Sequence, residues 1–217
     1  MKTILCYGDS NTWGWNPKTM RRFAVEDRWT GVLAGQLGDG YRVIEEGLNG
    51  RTTVFEDPLE PGRNGRAYLW PCLQTHMPLD LVAIMLGTND LKSRFAASAY
   101  EIADAAGRLV ELARQSGAGT GGEAPRVLLV APPPLGDTSR FGGDDPAYEG
   151  SELAWPQAVE KSRAFSRQYR RVADAHGCGF FDAASVVETS EIDGIHWEAG
   201  AHRAFGEALG RVIRAVV

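Results

Sequence analysis

Thr3-Ile-Leu-Cys-Tyr-Gly-Asp-Ser-Asn-Thr12 carries an apolar run that stops abruptly at Gly-Asp-Ser. The run is too short for a helix and does not alternate, as expected of a strand covered on both faces. Runs of the same kind recur at Tyr41–Ile44, Leu79–Leu86, Val127–Ala131 and Gly179–Phe181. Between them lie segments with helical spacing: Trp29, Val32, Leu33 and Leu37; Ile102, Ala106, Leu109, Val110 and Ala113; Phe165, Tyr169 and Val172; Phe205, Leu209, Val212 and Ile213. Strand alternating with helix predicts a doubly wound α/β fold: a three-layer sandwich around a five-stranded parallel sheet in flavodoxin-like order. Ligands of such sheets bind beyond the carboxyl ends of the strands. The residues just after each run are therefore the ones to read for chemistry.

A chain of 217 residues fits one α/β domain, here 1–217. The net charge of −5, with scattered basic residues, gives no attraction for phosphate backbones, so no nucleic-acid partner is expected. No stretch approaches the length of a membrane span and no secretory signal precedes the first strand, so the expectation is a cytoplasmic protein without a membrane partner. Cys6, Cys72 and Cys178 have no C-x-x-C spacing and read as structural thiols. Gly117–Gly122 is a surface connection, and no internal repeat is visible.

Ser10 stands just past the first strand, where a nucleophile belongs. If a helix starts at about Ser10, its free N–H groups and positive end face the same spot and favour developing negative charge. Asp9 and Ser10 also suit a plain helix cap, so the triplet alone does not decide. Leu86-Gly-Thr-Asn-Asp90 follows the most apolar run and brings Asn89, whose amide can donate to an oxyanion or close an Asx turn. Gly47-Leu-Asn-Gly50 follows the second run; a glycine there lets a backbone N–H approach a substrate oxygen, or makes a turn. His196 lies three residues after Asp193, so one tight turn can aim the carboxylate at one imidazole nitrogen and leave the other as a base for Ser10. Each signal is ambiguous singly, but four strand ends supply four distinct catalytic roles.

Assembled, Gly8-Asp9-Ser10, Gly50, Gly87-Thr88-Asn89-Asp90 and Asp193-Gly194-Ile195-His196 resemble the four blocks of the SGNH (GDSL-type) hydrolase family, over nearly the whole chain. The resemblance implies an SGNH hydrolase fold with Ser10 as nucleophile, His196 and Asp193 completing the triad, and an oxyanion hole of Ser10 N–H, Gly50 N–H and the Asn89 amide. The flanking runs Asp9-Ser-Asn-Thr-Trp-Gly-Trp15, Arg28-Trp-Thr-Gly31, Ile44-Glu-Glu-Gly-Leu-Asn-Gly-Arg-Thr-Thr53 and Pro78-Leu-Asp-Leu81 are similar to the bacterial arylesterase and acyltransferase branch. That branch implies small acyl groups and a closed homo-oligomer. Its first block usually has Leu where Asn11 stands, which puts a polar side chain beside the nucleophile.

The expected activity is a serine esterase that cleaves short-chain aryl or alkyl esters, a small-molecule substrate, through an acyl-Ser10 intermediate, with transfer to alcohol or peroxide where water is kept out. Asn11, Trp13 and Trp15 are the expected substrate-binding residues, the tryptophans walling the acyl pocket or packing in the core. A carbohydrate acetylesterase would use the same triad, with Asn11, Asn16 and Arg51 meeting hydroxyls. A non-catalytic flavodoxin-like binder could cradle phosphate on Gly8–Thr12 but has no need of Asp193 with His196. No cofactor and no metal are expected: there is no H-E-x-x-H, and His76, His176 and His202 stand apart, reading as surface or capping residues. Two long loops, Phe55–Tyr68 and Pro132–Pro156, carry Phe55, Tyr68, Phe141, Tyr148 and Trp155 and are expected to wall the site and join subunits.

Overall fold

The computed structural model describes residues 1–140 and 156–217. Five strands, β1 (Lys2–Gly8), β4 (Tyr41–Gly47), β5 (Leu81–Met85), β6 (Arg126–Ala131) and β7 (Gly179–Asp182), form a parallel sheet in the order β4-β1-β5-β6-β7. Counted along the chain, this is the flavodoxin-like order, with the first strand inside and the second at the edge. A short antiparallel ribbon, β2 (Trp15–Asn16) with β3 (Arg21–Arg22), stands apart from it. Dipeptides give no period to read, which is why the ribbon was invisible in the sequence.

Alternate residues of β1 feed two cores. Leu5 and Tyr7 pack with Leu69 and Leu73 of α3 (Gly65–His76), Ile102 and Leu109 of α4 (Ala99–Gln115) and Tyr169 of α6 (Phe165–His176). Ile4 and Cys6 pack with Trp29 and Leu33 of α2 (Trp29–Leu37) and with Phe205 and Leu209 of α7 (Ala199–Val216). Burying each such side chain contributes about 1.5–3 kcal/mol, so both faces are held by the apolar runs that mark the strands. Among the described residues, two further α-helices, α1 (Ser10–Trp13) and α5 (Pro156–Ser162), are short.

The boundaries differ from the sequence reading in three places. β4 continues past Ile44 to Gly47, because an edge strand can accommodate charge: Glu45 accepts from Arg28 Nε at 2.5 Å, Arg28 Nη2 at 2.9 Å and Thr30 Oγ1 at 2.7 Å. Leu79 and Leu86 are buried but lie outside the ladder of β5, since burial alone does not require pairing. α3 starts at Gly65, inside the expected Phe55–Tyr68 loop, with Asn64 as its cap accepting from Ala67 N at 3.2 Å. Gly65 and Pro71 had masked its helical pattern. Of the Pro132–Pro156 loop, residues 141–155, including Phe141, Tyr148 and Trp155, lie outside the described residues.

The register levels the strand ends where chemistry is expected: Gly8 pairs with Gly47 on one side and Met85 on the other. Gly47 has to be glycine, because a Cβ there would lie 2.2 Å from the Trp13 backbone N as α1 crosses the end of β4.

Candidate active site

Asp9 caps α1, its carboxylate accepting from Asn11 N at 3.1 Å, and so Ser10 is the first residue of a single helical turn. One turn sums few peptide dipoles; what it offers at Ser10 is free N–H groups rather than a macrodipole. Burial pushes the Asp9 carboxyl up to about 7, against the lowering hydrogen bond from Asn11, with nearby Asp90 adding to the rise.

Asp193 and His196 come from the loop before α7. Asp193 Oδ1 accepts from the N–H groups of Ile195 and His196, each at 2.9 Å, which folds the segment into a tight turn. Gly194, at φ 69°, is required there: a Cβ would meet the Asp137 carbonyl oxygen at 2.4 Å. The turn leaves Asp193 Oδ2 2.7 Å from His196 Nδ1, while His196 Nε2 lies 2.9 Å from Ser10 Oγ. A carboxylate can only accept, so Nδ1–H donates to Asp193 and Nε2 is left to accept the Ser10 hydroxyl proton. Burial opposes ionisation of Asp193, but the hydrogen bonds and charge of His196 and the two N–H groups outweigh it and hold the carboxyl below its ordinary value. Ser10, Asp193 and His196 are 8%, 6% and 7% exposed, so a substrate reaches Ser10 but little water surrounds the base.

Asn89 follows β5 and is buried beside Arg51, donating from Nδ2 to the Arg51 carbonyl at 3.2 Å. An amide carries two N–H bonds, so a second remains for another acceptor. Gly50 has φ 74°, a left-handed turn conformation that favours glycine. Among the described residues, neither the Ser10 nor the Gly50 N–H meets a protein acceptor.

Asn11 is buried, and its Nδ2 donates to the Ile195 carbonyl at 3.3 Å, tying α1 to the histidine turn, while its Oδ1 has no partner. The Trp15 ring lies 5.7 Å from the His196 ring and 6.1 Å from that of Trp13, and Arg22 stacks over Trp13 at 5.1 Å. Trp15 is therefore the tryptophan against the base.

Two expectations are corrected here. Arg51 is not available to sugar hydroxyls: its guanidinium lies 4.2 Å over the Tyr7 ring and donates to the carbonyls of Gly8, at 3.0 Å, and Glu46. A planar cation gains more from a ring face and two carbonyls than from solvent. His202 is neither surface nor cap but wholly buried, accepting from Trp29 N at Nδ1 (3.3 Å) and flanked by the rings of Phe23 and Trp197. Four residues into an amphipathic helix, it falls on the apolar stripe of Phe205 and Leu209, a periodicity that the sequence did contain.

Asp90 is a residue that the sequence reading left without a role. Its carboxylate accepts from Thr53 N (3.0 and 3.1 Å) and from Thr53 Oγ1, pinning the loop that carries Gly50 and Arg51 to the loop that carries Asn89. Burial raises its carboxyl to about 6 despite those bonds.

Comparison with known proteins gives the family and the fold. Residues 6–204 match the GDSL-like Lipase/Acylhydrolase family. The native aryl esterase of M. smegmatis is 43% identical, with a TM-score of 0.91 and 100% of both chains covered. Est24, a carbohydrate acetylesterase from Sinorhizobium meliloti, gives the same identity, TM-score and coverage. A lipolytic G-D-S-L family member from Veillonella parvula, at 15% identity and TM-score 0.69 over 99% of this chain and 100% of that one, shares the fold. No curated protein matches the chain in sequence. The chain belongs to the GDSL-like lipase/acylhydrolase family and is a carboxylic ester hydrolase with the SGNH hydrolase fold. No helix among the described residues is long and apolar enough to cross a membrane.

Proposed function

We propose that Ser10 is the nucleophile of this hydrolase, with His196 as general base, Asp193 as its orienting carboxylate, and Ser10 N–H, Gly50 N–H and Asn89 Nδ2 as the oxyanion hole. Support comes above all from the continuous relay of 2.7 Å from Asp193 to His196 and 2.9 Å from His196 to Ser10. Ser10 Oγ bonds to the ester carbonyl carbon as its proton passes to His196 Nε2. The tetrahedral oxyanion collapses, the ester C–O bond breaks, and the leaving alkoxide or phenoxide takes that proton. Water, giving up a proton to the same nitrogen, then attacks the acyl-Ser10 carbonyl; the bond from the acyl carbon to Ser10 Oγ breaks, Ser10 takes that proton back from Nε2, and the acid is released. Neither step calls for a cofactor.

The acyl group is short in this reading, because Trp15 closes on the base, with Asn11 and Trp13 shaping the remaining wall. A small alcohol or peroxide replaces water where the mouth excludes it. Ser10→Ala tests the assignment: turnover should fall on the order of 10⁶-fold with the fold intact, and covalent labelling by an organophosphonate should vanish. Residual activity within tenfold of wild type would refute it. The likeness to a carbohydrate acetylesterase favours a second reading, removal of acetyl groups from sugars, to which the unpartnered Asn11 Oδ1 offers an acceptor for a hydroxyl. Relative kcat/KM on acetylated sugars and aryl acetates separates the two.

The same reading takes residues 1–217 as one domain that assembles into a homo-oligomer. Leu59, Tyr68 and Trp70, before and within the first turns of α3, are large apolar side chains left exposed, of the kind that subunit interfaces cover. Light scattering should give a multiple of the 23.6 kDa chain at micromolar concentration, and a monomeric mass would refute assembly.

A further inference from the structure

Away from Ser10, three side chains of metal-ligating types converge at the edge of the sheet. Cys72 and His76 are four residues apart and so share one face of α3, and Glu46 extends from the edge strand β4 toward that face. One ligand atom from each lies within 4.8 Å of the others, and His76 Nε2 is 2.8 Å from Glu46 Oε1. We propose that Glu46, Cys72 and His76 bind a transition-metal cation of the Zn²⁺ class, which clamps β4 to α3.

The donor set argues for that class. A thiol, an imidazole and one carboxylate suit Zn²⁺ or Co²⁺, whereas Mg²⁺ and Ca²⁺ take oxygen ligands in greater number. Tetrahedral bonds of about 2.0–2.2 Å separate nitrogen and oxygen ligands by about 3.3 Å, so His76 and Glu46 have only a short distance to part. The Glu46 carboxylate has no lysine or arginine ion-pair partner among the described residues: His76 is the pair it makes, and Arg51 binds its backbone carbonyl instead. A cleft of about 500 Å³, lined by Glu46, Arg51, Asn64 and Tyr68 among others, opens beside the Glu46 ligand, whereas Cys72 is buried behind it. The hydrogen bond from His76 Nε2 already holds that ring against the Glu46 carboxylate. Binding forms a metal–sulfur bond while the thiol proton leaves to buffer; nothing is oxidised or reduced. Spacing alone hid the site, since Glu46 lies on another element from the Cys-x-x-x-His pair.

The test uses chelator-stripped protein titrated with Zn²⁺ by calorimetry and with Co²⁺ by absorbance. One equivalent should bind, with a thiolate-to-cobalt charge-transfer band that Cys72→Ser abolishes. His76→Gln should weaken Zn²⁺ binding at least tenfold. At 100 times Kd, Zn²⁺ should raise the Tm of wild type by roughly 5–10 °C and leave that of His76→Gln nearly unchanged. Should Cys72→Ser not fold, His76→Gln, whose side chain is partly exposed, decides alone. Absence of the thiolate band in wild type would overturn the proposal. So would unchanged Zn²⁺ affinity in His76→Gln, which would put the ion elsewhere, for example at Asp193 and His196.

Discussion

His202 should make the fold sensitive to acid, and the size of the effect follows from its surroundings. Burial drives its pKa down to about 3 from 6.5, with the charge of nearby His196 a smaller contribution. A folded pKa below the unfolded one means that the unfolded chain takes up a proton first. The stability is therefore complete above pH 6.5 and is lost as pH falls from there toward about 3. Between pH 8 and pH 5 the loss is RT ln(1 + 10^1.5), about 2 kcal/mol, or roughly 4–8 °C in Tm for a chain of this size. Since pH 5 lies well above the folded pKa, the figure hardly depends on that value. Asp9 and Asp90 act with the opposite sign: their carboxyls are raised to about 7 and about 6, so their contribution is complete below the ordinary carboxylate range and is lost as pH rises through those values. The net curve is consequently not the readout. The readout is the difference between wild type and His202→Asn, in which Oδ1 can still accept from Trp29 N but nothing titrates. Urea or thermal unfolding of both at pH 8 and pH 5 should show wild type losing about 2 kcal/mol more than the variant. Equal losses in the two proteins would refute the account of a neutral histidine sealed in the core.

Two further outcomes bear on catalysis. Asn89→Ala should lower kcat roughly 10²–10³-fold with KM little changed, if its second amide N–H serves the oxyanion; normal turnover with a lowered Tm would assign Asn89 to structure alone. Trp15→Ala should widen acyl scope and shift product from ester toward free acid, measured with vinyl acetate and benzyl alcohol in buffer, whereas Trp13→Ala should change stability more than the product ratio, since the Trp13 ring carries the stacked Arg22 guanidinium. Wild type yielding only acetate at every alcohol concentration up to solubility would refute acyl transfer.

The apolar runs at Thr3–Tyr7 and Val127–Ala131 determined the fold directly, because a strand buried on both faces leaves a local signature. The residue types that meet at the candidate site were equally legible: Gly8-Asp9-Ser10, Asn89 and Asp193-Gly-Ile-His196 each stand at a strand end or before a helix, and local rules put them there. What a residue touches across the chain was not legible. Arg51, read as able to meet a sugar hydroxyl, is held by Tyr7 and Gly8; His202, read as surface or cap, faces the core; and His76, read as isolated, meets Glu46 thirty positions away in sequence. Tertiary packing alone settles these, because partners contributed by distant segments leave no period or spacing in either one. The same holds for the 2.9 Å between His196 and Ser10: β1 lies inside the sheet and β7 at its far edge, and it is the loop before α7, tied to α1 by Asn11 Nδ2 and the Ile195 carbonyl, that brings the two together.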